Sequence, residues 1–98
     1  MKRADVLKII YNAIHELNDE YSLDIKNDES TKIINEIDSI VLVNLIVKIE
    51  SEINKSLAIS ITIADDRAFS RNNSPFKTVG ILTNYILELI NDYYNGHK

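Results

Sequence analysis

Apolar residues recur at three- and four-residue steps in three stretches of this chain, and each stretch predicts an amphipathic helix. Over residues 4–17 the stripe is Val6, Ile10, Ala13 and Leu17, widened by Leu7 and Ile14. Over 39–54 it is Leu42, Leu45, Ile46, Ile49 and Ile53, with Val41, Asn44, Lys48 and Glu52 on the far face. Over 79–94 it is Val79, Leu82, Ile86, Leu89 and Tyr93, with Tyr85 and Ile90 alongside and Thr78 as N-cap.

The intervening segments carry other patterns. Residues 18–37 are polar around Asn27-Asp28-Glu29-Ser30, and Ile25, Ile33, Ile34 and Ile37 are expected to pin them to the core, with a short helical turn over Thr31–Glu36. Ile59, Ile61 and Ile63 alternate with Ser60 and Thr62, the period of a strand. With no second strand to pair with, this is read as an extended segment with its isoleucines turned inward. Asp65-Asp66 before Arg67-Ala68-Phe69 predicts a short capped helix, and Ser70 to Lys77 a polar loop around Pro75. The chain has only two Gly and one Pro to interrupt helices. The expected architecture is all-α: one domain over residues 1–98, a small four-helix bundle of three longer helices and one short, without internal repeats.

Composition narrows the function classes. A net charge of −4 with no lysine–arginine cluster argues against nucleic-acid binding. Without cysteine there is no disulfide framework, thiolate nucleophile or cysteine-based zinc site. No apolar run reaches membrane-spanning length, and Lys8, Tyr11 and Asn12 interrupt the only stretch resembling a secretory leader, so a cytoplasmic protein is expected.

The second helix differs from an ordinary surface helix. From Ile40 to Val47 only Asn44 breaks an apolar run that surrounds the axis. Val43, Val47 and the isolated Val41 are expected toward the side or surface as a docking face, unless the helix is simply central and covered on several sides. Ahead of it stands Ile37-Asp38-Ser39-Ile40. Asp38 suits an N-cap, accepting from the N–H groups near residues 40 and 41 and leaving the Ser39 hydroxyl free. A phosphate ester on Ser39 would sit at the positive end of the helix.

These residues resemble the signature of the acyl carrier proteins, an apolar residue, then Asp-Ser, then Leu or Ile. The resemblance extends through Glu50-Ser51-Glu52-Ile53 and to Ser74-Pro75-Phe76-Lys77-Thr78-Val79-Gly80, similar to the loop opening the last helix of many carriers. It covers nearly the whole chain and is weak over 18–36 and 55–70. It implies a non-enzymatic carrier holding an acyl or aminoacyl group as a thioester on 4′-phosphopantetheine attached to Ser39. A phosphopantetheinyl transferase would supply the arm from coenzyme A with magnesium, the Ser39 oxygen attacking the pyrophosphate to form a phosphodiester, with Asp38 as cap and transferase contact. Further expected partners are an acyl- or aminoacyl-activating ligase and a downstream acyltransferase or condensing enzyme. They would meet a monomer through Ile40, Val41, Val43, Asn44, Val47 and Glu50. Asn44 stands where fatty-acid carriers have an acid, and Lys48 adds a positive charge, so a dedicated pathway is expected rather than housekeeping fatty-acid synthesis.

Other candidates are weaker. His15 and His97 lack a second ligand at metal spacing, and Asp24, Asp28 and Glu29 do not fit a calcium loop. Asp19-Glu20 reads as a solvated helix end, and Tyr85, Tyr93 and Tyr94 as core and rim. A Ser–His–Asp hydrolase would have only His15 as base. The main alternative is a non-catalytic helical interaction module without a prosthetic group.

Overall fold

The structure, a computed structural model, describes residues 1–64 and 74–96. Among the described residues, three long helices and one short one follow in order: α1 (Arg3–Tyr21), α2 (Ile33–Glu36), α3 (Ser39–Leu57) and α4 (Val79–Gly96). The short helix expected at 65–69, its Asp65-Asp66 cap and His97 lie outside the described residues.

Helices α1 and α3 run three to four residues past the ends expected from their stripes. Both stop on a side-chain-bearing residue in the left-handed region, Ser22 at φ 55° and ψ 47° and Ala58 at φ 55° and ψ 45°. Their N–H groups bond back to the carbonyls of Asn18 and Asn54. No glycine marks these stops, so the usual C-terminal signal is missing from the sequence.

The two asparagines do more. The Asn18 amide donates to the Ile25 carbonyl at 3.0 Å and accepts from the Ile25 N–H at 2.9 Å. Asn54 grips Ile61 in the same way, at 3.0 and 2.9 Å. One capping device thus occurs twice in a chain that shows no sequence repeat. The second copy explains the 59–63 alternation. Residues 59–62 have no secondary structure. Asn54 satisfies the Ile61 backbone, and the Glu50 carboxylate accepts from the Ile63 N–H at 2.7 Å. Side chains of α3 take the bonds that a partner strand would otherwise supply. Ile61 and Ile63 are buried as expected, and Ile59 is half-buried.

The core gathers Val6, Ile10, Ile14 and Leu17 of α1, the full expected stripe of α3, and Val79, Leu82, Ile86 and Ile90 of α4. Helix α1 packs against both α3 and α4, and α2 against α3. Ile33 of α2 and Phe76, just ahead of α4, are fully buried in the same cluster. Each such side chain contributes roughly 1.5–3 kcal/mol relative to exposure.

Three placements differ from the pattern. Ile34 is 42% exposed, because α2 is a single turn that buries Ile33 and rotates its neighbour outward. In α4, Leu89 and Tyr93 are only half-buried, whereas Thr83 is fully enclosed. The Thr83 hydroxyl donates to the Val79 carbonyl at 2.8 Å, which satisfies its polar group within its own helix.

The start of α4 fastens the long connection. Thr78 caps it as expected, its hydroxyl accepting from the Ile81 N–H at 3.1 Å. The Val79 and Gly80 N–H groups donate to the carbonyls of Thr31 and Glu29, at 3.0 and 2.8 Å. A Cβ at Gly80 would lie 3.1 Å from that Glu29 oxygen, so the close approach favours glycine here. Arg3 bonds both the Glu29 carboxylate and the Asn84 amide, tying α1, the connection and α4 together.

Candidate functional site at the start of α3

Three backbone states in a row build this site. Ile37 ends α2 in an extended conformation, Asp38 remains extended at φ −84°, and Ser39 begins α3. The Asp38 carboxylate accepts from the Val41 N–H at 3.0 Å, and its carbonyl accepts from the Leu42 N–H at 2.9 Å. Asp38 is therefore the expected N-cap. Ser39 is exposed, and among the described residues no group hydrogen-bonds its hydroxyl. The first turn of α3 carries no acidic side chain, so the dipole's positive end is offset only by the cap. An added phosphate ester fits these surroundings: an accessible hydroxyl at a helix N-terminus.

The apolar run beyond Ser39 divides into two rows. Ile40, Val43 and Val47 are 76%, 43% and 52% exposed. They form the outer face of α3. The row expected to be outermost lies instead on the flank toward α1. Val41 is half-buried against the core. The Asn44 amide donates to the Tyr21 phenol oxygen, and Lys48 stands 3.8 Å from the Glu20 carboxylate. Periodicity locates the centre of a stripe but not which flank a neighbouring helix covers, and α1 covers this one. Glu50 is half-buried and committed to the Ile63 N–H. Of the residues singled out from sequence, Ser39, Ile40, Val43 and Val47 thus share an accessible surface. Val41, Asn44 and Glu50 make contacts within the protein.

A shallow groove of about 390 Å³ lies on the α1–α3 seam, lined by Lys8, Ile9, Asn12, Ala13, Glu16, Lys48 and Glu52. Lys48 is nine residues beyond Ser39, ~13 Å along the axis, so the groove does not adjoin the serine.

The remaining candidates find ordinary places. His15 is exposed and stands 3.8 Å from the Asp19 carboxylate one turn further along α1. No cluster of His, Asp or Glu among the described residues could hold a metal ion. Asp28 instead forms a local turn, accepting from the Ser30 N–H at 2.8 Å and its hydroxyl at 2.6 Å. These bonds hold its carboxyl below the usual range. Burial, with Glu29 and Asp28 nearby, raises the Tyr11 phenol above its ordinary value. Tyr93 and Tyr94 meet edge-on at 5.6 Å. No helix among the described residues is long and apolar enough to cross a membrane.

Compared with known proteins, the chain matches no family model, no curated protein and no solved structure. The resemblance to carriers therefore rests on the residues and on the site they build.

Proposed function

We propose that this protein is a carrier without catalysis of its own, holding an acyl or aminoacyl group as a thioester on 4′-phosphopantetheine attached to Ser39. The observation that supports this reading best is the exposed Ser39 hydroxyl, without a hydrogen-bond partner among the described residues, at the first position of α3 beside an exposed apolar row. Asp38 holds the first turn, so the hydroxyl is presented from a fixed backbone. The arm, when attached, supplies a flexible thiol. The chain itself supplies the attachment point and the surface around it.

Its partners in this reading are a phosphopantetheinyl transferase, an activating ligase and an acceptor enzyme of a dedicated pathway. The absence of acids from the first turn of α3 supports that last choice. Intact mass after incubation with coenzyme A, magnesium and a broad-specificity transferase tests the reading. A gain of one phosphopantetheine by the wild type and none by Ser39→Ala is expected. No gain by the folded wild type overturns it and leaves the interaction module, whose partner binding Ser39→Ala would not disturb.

A further inference from the structure

The groove on the α1–α3 seam plays no part in the site at Ser39. Lys48 on its rim is ~13 Å further along the α3 axis than Ser39 and about half a turn around it. The two walls of the groove are built alike. Glu16 stands two residues ahead of Asn18, and Glu52 two residues ahead of Asn54, the asparagines that close the two helices. Asn12 and Lys48 each stand six residues ahead of the same asparagines. Helices α1 and α3 thus bring corresponding positions to one concavity, a polar residue and then a carboxylate from each.

Most of the polar groups around it are unused by the fold. Lys48 is engaged, 3.8 Å from the Glu20 carboxylate. Among the described residues, Lys8, Asn12, Glu16 and Glu52 have no hydrogen bond or ion pair. A carboxylate from each wall can accept from one ammonium group between them. The Lys8 ammonium and the Asn12 amide, both on α1, can donate to a carboxylate. The apolar lining is confined to Ile9 and the buried Ala13, so a long alkyl chain finds little to cover it. A volume of about 390 Å³ limits the occupant to a small molecule.

We infer that this groove is a second binding site, separate from Ser39, for a small zwitterion of the free amino-acid class, carrying a primary ammonium and a carboxylate. The ammonium lies between Glu16 and Glu52, and the carboxylate lies toward Lys8 and Asn12. Both charges are needed. A simple amine also meets Lys8 and Lys48, and a simple anion also meets the two glutamates, so neither alone is well matched. The site does not depend on the carrier reading.

The test is a titration of the full chain followed by amide NMR at about 0.15 M sodium chloride, where exposed charges are screened. The probe is 4-aminobutanoate, with butanoate and butylammonium as single-charge controls. Saturable shifts confined to residues 8–16 and 48–52 are expected, with a Kd of about 1–10 mM for so small a ligand on an open site. Each control is expected to bind at least about tenfold more weakly. Glu16→Gln, Glu52→Gln and Lys8→Met are each expected to raise Kd by about fivefold or more. Asp19→Asn removes an exposed carboxylate of α1 outside the groove and is expected to leave Kd unchanged. The same spectra report that each variant is folded. No saturable shift at several times the expected Kd overturns the inference. So does equal binding of the three probes, or an effect of Asp19→Asn as large as that of the groove variants. Modification of Ser39 is measured separately by mass, so failure here leaves the carrier reading standing.

Discussion

Helices α1 and α3 each run 19 residues, end on a left-handed residue and close with an asparagine that grips an isoleucine seven positions on. Their outer faces differ. The places of Ile40, Val43 and Val47 are held in α1 by Ala4, Leu7 and Tyr11. Leu7 and Tyr11 are half-buried against the core, because α1 packs on two long helices. The more enclosed helix therefore uses its apolar residues for packing, and the less enclosed one leaves three in solvent.

The comparison can be broken first at its shared part. Asn18→Ala removes both bonds to Ile25, and a loss of about 2 kcal/mol is expected from urea unfolding. Asn54→Ala removes the same pair from Ile61 but leaves Glu50 holding Ile63, so a smaller loss is expected. Equal losses would mean that the Glu50 bond contributes nothing.

The unlike outer faces give the next contrast. Leu7→Ser is expected to cost about 1–2 kcal/mol, because it uncovers core contact. Val43→Ser, at the matching place in α3, is expected to stay within about 0.5 kcal/mol. A loss at Val43 as large as that at Leu7 would show that the outer row of α3 is structural after all.

The smallest effect belongs to the connection after α1, whose Asp28–Ser30 turn has no described counterpart after α3. A carboxyl held below its usual range contributes stability above its unfolded pKa, and that contribution is lost as pH falls through the folded value. Ser30→Ala removes the hydroxyl and keeps the N–H. The Asp28 titration followed by NMR is expected to move up, part of the way to an ordinary aspartate.

Much of this was legible in the chain. The three stripes locate the long helices, the cap residues Asp38 and Thr78 locate two starts, and the isoleucines at 61 and 63 turn inward as their alternation suggests. Helix ends were not legible, because Ser22 and Ala58 take a conformation that glycine normally announces. The fate of Val41, Asn44 and Glu50 was not legible either. Each depends on a group distant in sequence or on a neighbouring helix: the core under α1, the Tyr21 phenol and the Ile63 N–H. No local pattern encodes such partners. Ser39 was readable for the opposite reason, since its surroundings are set by the residues next to it.

Both helix stops also bear on how durable this protein can be made. A side chain in the left-handed region costs about 1–2 kcal/mol relative to glycine, and neither of the chain's two glycines has positive φ. Ser22 and Ala58 therefore represent stability that the present sequence forgoes. Ala58 lies the full length of α3 from Ser39, so a heat-resistant form could be engineered there without altering the attachment point or the face beside it.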